Sequence, residues 1–212
     1  MTQPRLFGGG PVMMFADDRS RRSFLKWAGL LGVGATLAAA GARSRFASAQ
    51  GDEGDIGILN FALTLEYLEE DFYGRGADSG LLKGRAGELV AAIRDHESEH
   101  IAALESAISD LGGSPVKKPK FTYPQGVFKE KQAWMETAVD FSQLGVEAYH
   151  GQVQLIQSPA LLAAAASIAG VESRHAAVIA QLAGRQPFPS PIEQSIPKGR
   201  VLKTVQPFIA EG

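Results

Sequence analysis

The chain has 212 residues, 45% of them hydrophobic, and a formal net charge of -2. That length fits one domain with short extensions, and the near-neutral charge gives neither the basic field of a nucleic-acid binder nor the acidic block of a disordered tail. There is no cysteine, so disulfides, thiolate metal sites and a cysteine nucleophile are excluded, and any metal must be held by Asp, Glu, backbone oxygens or the 4 histidines.

The first segment reads as an address label. Ser20-Arg21-Arg22-Ser23-Phe24-Leu25-Lys26 resembles the twin-arginine export signal at every defined position. An apolar run rich in Gly and Ala follows, Trp27 to Ala40, then Arg43, Arg45 and the small-residue sequence Ala47-Ser48-Ala49. Residues 1–49 are therefore expected to be a signal peptide, with cleavage before Gln50. The apolar run is about 14 residues, short of the roughly 20 that cross a bilayer, so stable membrane insertion is not expected. Gly32-Val33-Gly34 follows no strand and lacks a third glycine, so it is not read as a dinucleotide loop. The resemblance implies export through the twin-arginine translocase, a route for folded proteins that suits a cofactor inserted beforehand.

Helical periodicity dominates from there on. The first helix is expected from about Asp55 to Tyr73, with the stripe Ile58, Phe61, Leu65, Leu68 and Phe72, and with Gly74 and Gly76 ending it. The second is expected from about Lys83 to Leu111, on the stripe Leu89, Ile93, Glu97, His100, Leu104, Ala107 and Leu111, stopped by Gly112-Gly113. A long connection, 112–127, carries Pro115, Pro119 and Pro124. The third helix is expected from about Phe128 to Gln157. Ser158-Pro159 then marks a helix start, with Ser as cap and Pro at the first helical position. The fourth helix runs to Leu182 and Gly184 closes it. Residues 185–212, with Pro187, Pro189, Pro191, Pro197 and Pro207, read as a tail packed along the bundle with one helical turn near Val201–Val205. The expected fold is all-α: an antiparallel four-helix bundle over 50–184 with one long crossover between helices two and three.

Two short motifs carry the chemistry. Glu97-x-x-His100 and Glu172-x-x-His175 place a carboxylate and an imidazole one turn apart on one helix face. Both pairs interrupt apolar stripes: Ile93 and Leu104 flank the first, Ile168 and Ile179 the second. Burying ionised carboxylates without compensation costs several kcal/mol, which a shared cation would offset; a hydrogen-bonded Glu–His network is the competing arrangement. Two such pairs, with a bridging Glu from each remaining helix, would make a two-metal carboxylate site, and its oxygen-rich donors suit iron or manganese, one or two ions. On helix one, Glu66 can face inward, Glu69 is a second candidate, and Glu70 is expected in solvent. On helix three, Glu147 and His150 fall on a polar stripe expected to face water, which leaves Ser142 at the inward position. His96 flanks the buried face, and Tyr73 and Tyr149 are expected as core aromatics near the site.

These blocks resemble a family. Asn60-Phe61-Ala62-Leu63-Thr64-Leu65-Glu66-Tyr67-Leu68-Glu69 with Phe72-Tyr73, then His96-Glu97-x-x-His100, Gly145-Val146-x-Ala148-Tyr149-x-Gly151 and Val171-Glu172-Ser173-Arg174-His175, are similar to the secreted ferritin-like domain proteins. That group includes bacterial twin-arginine substrates and plant desiccation-related proteins. The resemblance spans about residues 54–182 and gives Glu66, Glu97, His100, Glu172 and His175 metal-ligand roles. It also implies a carboxylate where this chain has Ser142, which leaves open whether the site binds two metals with Glu69 substituting, binds one, or binds none. Two functions are expected as rivals. One is a periplasmic or secreted metal-binding protein that oxidises iron(II) or consumes peroxide; the other is a non-enzymatic stress- or desiccation-related protein with a vestigial site. The Pro-rich tail argues against an iron-storing cage. The translocase is the expected export partner, a homodimer is left open, and no nucleic acid is expected.

Overall fold

The computed structural model describes residues 54–210 and two short N-terminal segments, 5–6 and 10–11. The latter are β1 (Arg5–Leu6) and β2 (Gly10–Pro11), which pair antiparallel with Arg5 opposite Pro11. The segments expected to be an export motif, 20–26, and a cleavage site, 47–49, lie outside the described residues.

Helix α1 spans Gly54–Asp78 and runs through Gly74 and Gly76, which were expected to end it. Gly76 stays helical because the indole of Trp134 lies where its Cβ would be. The chain leaves the helix at Gly80, whose φ of 72° suits a residue without a Cβ. Helix α2 spans Arg85–Asp110. It ends as expected at Gly112 (φ 77°), with the Gly113 N–H donating to the Ile108 carbonyl at 2.9 Å, the bond of a Schellman cap.

Helix α3 spans Lys131–Val153 and is shorter than expected at both ends. Phe128 is held outside it, its ring 5.6 Å from that of Phe72. Beyond Val153 the Leu155 and Ile156 N–H groups turn back onto the Gln152 and Val153 carbonyls. Helix α4 spans Pro159–Leu182, starting as expected at a Ser158 cap whose side chain accepts from the Leu161 N–H. Gly184 (φ 70°) closes it.

The expected all-α bundle is the observed fold. Pairings along the chain fix its topology. Tyr67 and Gly74 of α1 meet Glu105 and Arg94 of α2, so these helices are antiparallel. Glu66, Phe72 and Gly76 of α1 meet Tyr149, Phe141 and Trp134 of α3, again antiparallel. Helices α2 and α3 therefore point the same way, and only a long crossover can join them. That crossover is tied down on α1. Asn60 accepts from the Val116 N–H at 2.8 Å and donates to the Ser114 carbonyl, and the Tyr123 hydroxyl donates to Asp71 at 2.9 Å. Asp55, in the first turn of α1, accepts from the N–H groups of Gln157 and Ser158 and so anchors the turn between α3 and α4.

After α4 the chain reaches α3 again, where Ile196 approaches the bare backbone of Gly151. Helix α5 (Lys198–Val205) buries Val201 and Val205, and the end of the tail bridges the crossover between Ile209 and Phe121. The core has three zones along the bundle axis. At one end an aromatic cluster packs around Phe72, stacked on Trp134 with ring centroids 5.2 Å apart and edge-on to Phe141. At the other end lie Leu59, Leu104 and Ile168. Between them sits a band of buried acids and imidazoles.

Candidate metal centre

The middle band is built from one face of each helix. Glu66 and Glu69 come from α1, Glu97 and His100 from α2, Ser142 from α3, and Glu172 and His175 from α4, and all are buried. Each acid–imidazole pair owes its alignment to the helical i, i+3 spacing; α2 and α4 then bring the two pairs face to face. Ligand atoms of Glu66, Glu97, His100 and Glu172 all lie within 4.8 Å of one another. His175 adjoins this group, its Nδ1 at 3.0 Å from Glu97.

The detailed arrangement differs from the expected one in one respect. His100 Nδ1 has Glu66 Oε2 at 3.2 Å, Glu97 Oε2 at 3.1 Å and Glu172 Oε1 at 3.0 Å. His175 Nδ1 has Glu97 Oε1 at 3.0 Å and Glu172 Oε2 at 3.4 Å. Glu97 and Glu172 thus each turn one oxygen to each imidazole, while Glu66 lies only on the His100 side. The acids that span both halves are those of the two Glu-x-x-His motifs, not a Glu from each remaining helix. The reason is geometric: each motif acid sits one turn from its own histidine and directly opposite the other motif.

Surrounding groups hold this set in place. The Tyr149 hydroxyl donates to Glu66 Oε1 in a short hydrogen bond. His96 is exposed over much of its surface, yet its Nδ1 lies 2.9 Å from His175 Nε2, which leaves His175 Nδ1 turned to the carboxylates. The groups expected to face solvent lie outside the cluster. Glu70 pairs with Lys118 at 2.5 Å on the surface, and Glu147, half-buried on the outer side of α3, accepts from Gln143. His150 is likewise half-buried and apart from the cluster. The residue that the sequence reading passed over is Gly145. A Cβ there would lie 2.5 Å from Glu69 Oε1. A glycine on the buried face of an unbroken helix was the available signal.

Protonation follows from burial and crowding. Burial pushes Glu66 up to about 8, against the pull of His100. Burial also raises Glu69 well above the usual carboxylate range, and Glu172 and Glu97 push the same way. For Glu97 burial is outweighed by its hydrogen bond with His100 and the nearby His175 charge, which bring it down to about 2. For His100 burial is outweighed by Glu66, Glu172 and Glu97, which raise it well above the usual range. His175 is raised to about 9, its close contacts with the Glu172 and Glu97 carboxylates again outweighing burial.

The donor set fits metal ions. Bonds of about 2.1 Å at right angles place neighbouring donors about 3 Å apart, the spacing seen around both Nδ1 atoms. A single imidazole nitrogen can donate one hydrogen bond, and three carboxylates converge on that of His100. Glu97 Oε1, both oxygens of Glu172 and His175 Nδ1 are buried without a well-formed hydrogen bond, a costly condition that a cation relieves.

Two antiparallel helix pairs, one long crossover, and a Glu-x-x-His motif on each of two facing helices define the ferritin-like class of bundle. The chain belongs to the ferritin-like domain family, whose sequence pattern matches residues 54–185. Among curated proteins, none matches the chain.

Proposed function

We propose that the chain is exported through the twin-arginine route and holds a pair of iron or manganese ions in its core, with which it oxidises iron(II) or consumes peroxide. One observation carries the metal reading: Glu97 and Glu172 each present an oxygen to His100 and an oxygen to His175. Hydrogen bonding alone does not call for two acids each shared between two imidazoles; two adjacent cations do. Glu97 and Glu172 would lie between the ions, Glu66 with His100 would hold one, and His175 the other.

When bound, such ions supply one-electron chemistry toward oxygen species. The protein's share is positioning and proton management. His96 keeps His175 Nδ1 free for the metal, and Tyr149 fixes Glu66. The protons held at Glu66, His100 and His175 must leave as cations enter. An apolar cavity of about 30 Å³, lined by Leu59, Ala62, Leu104, Ala165 and Tyr149 among others, adjoins the site through Tyr149. Its size and lining suit a small oxidant such as dioxygen rather than an organic substrate.

The export motif at 20–26 supports the location. No helix among the described residues is long and apolar enough to cross a membrane. A second reading, a stress- or desiccation-related bundle with a structural Glu–His network, draws support from Ser142, a non-acid at the buried α3 position.

Metal analysis and iron(II) oxidation assays on natively exported protein separate the two. The expected result is two ions per chain, loss of both in Glu97→Ala, and loss of one in His175→Ala. Folded wild-type protein carrying less than about half an equivalent of iron plus manganese would sink the two-ion reading and leave the structural one.

A further inference from the structure

The two ends of the cluster are unequal. Three carboxylates close around His100 and only two around His175. Helix α3 faces the cluster with Ser142, Gly145 and Tyr149, none of them an acid, and Tyr149 is committed to Glu66.

Glu69 stands next to this gap. It lies one turn beyond Glu66 on α1, is only 6% exposed, and its Oε2 has no hydrogen-bond partner. Its Oε1 occupies the notch that Gly145 leaves open. A Cβ at Gly145 would lie 2.5 Å from that oxygen and 3.8 Å from Glu172 Oε2, the oxygen turned to His175. Any larger residue at 145 would force the Glu69 carboxylate to shift. Glycine inside a helix costs stability, and here its missing side chain makes room for a buried acid.

We infer that Glu69 is the terminal carboxylate ligand of the ion on the His175 side, supplied by α1 and seated over Gly145. This rests on the two-ion reading above. Glu66 and Glu69, one turn apart on one helix, then serve one ion each, and α3 contributes space instead of an acid. The charges agree: four buried carboxylates, Glu66, Glu69, Glu97 and Glu172, balance two divalent cations with both imidazoles neutral.

The test is equilibrium dialysis of the full mature chain against manganese(II), with bound metal counted per folded chain. Wild type is expected to bind two ions, and Glu69→Gln one, the affinity for the second falling at least tenfold. Gly145→Ala, which leaves Glu69 in the sequence but displaces its carboxylate, is expected to lose the same ion, and the surface control Glu70→Gln to keep both. Two ions retained in Glu69→Gln would overturn the assignment. So would loss of both ions with helicity intact, because Glu69 would then act on the whole cluster. A wild type binding a single ion that Glu69→Gln leaves in place would refute this inference alone; a wild type binding none would refute the metal reading with it.

Discussion

Tyr149 brings its hydroxyl to the polar band from the one bundle helix that supplies no acid there. Burial, and then the charge of Glu66, push its own ionisation well above the usual range, so it remains a donor to Glu66 Oε1. Tyr149→Phe removes that donor and leaves a buried carboxyl oxygen unmatched. The expected loss is about 1–3 kcal/mol in the metal-free protein, read from urea unfolding at neutral pH; an unchanged midpoint would show that Glu66 finds another partner. At this scale the motif acids and histidines were legible because i, i+3 spacing acts within one helix. The sharing of Glu97 and Glu172 between two imidazoles was not legible, since it depends on how α2 and α4 are rotated toward each other. The niche of Glu69 was hidden for a similar reason: it is made by an absent side chain on another helix.

Helix α4 was legible at both ends because its stops are chemical, a Ser158 cap followed by Pro159 and a glycine with positive φ at 184. Helix α1 was misjudged at its end because tertiary packing overrides local preference. Gly76 alone would weaken a helix, yet it is retained where the Trp134 indole occupies the space of its missing Cβ. Two glycine substitutions separate these effects. In α4, Gly170 has nothing within 4 Å of its would-be Cβ, so Gly170→Ala is expected to stabilise by about 0.5–1 kcal/mol. In α1, Gly76→Ala gains the same propensity but drives a methyl into a fully buried indole, and overpacking of about 1–3 kcal/mol wins. Chemical denaturation of both variants reads the opposite signs; stabilisation by Gly76→Ala would contradict the packing account.

For the molecule as a whole, topology was legible from connection lengths. The short 79–84 and 154–158 links force antiparallel neighbours, and the long 111–130 segment must cross. The metal-free core carries a pH signature. Glu66, Glu69, His100 and His175 all have raised folded-state values. A raised value means that stabilisation is complete below the unfolded value and is lost as pH climbs through the folded one. With Glu66 moving from 4.5 to about 8 and His175 from 6.5 to about 9, stability is expected to fall as pH rises from about 5 to 9. Glu97, lowered to about 2, acts in the opposite sense but only below 4.5, outside that window. Bound cations favour the deprotonated acids and neutral imidazoles, so the gain in thermal midpoint on adding manganese(II) should grow from pH 5.5 to pH 8.5. A gain that shrinks over that range would contradict the assignment of these protons.

Two ions held between the shared carboxylates would sit side by side. X-ray absorption at the iron edge of the loaded protein measures this directly. A metal neighbour at about 3.5–4 Å is the expected result. Iron bound at full occupancy with no metal scatterer near that distance would contradict it.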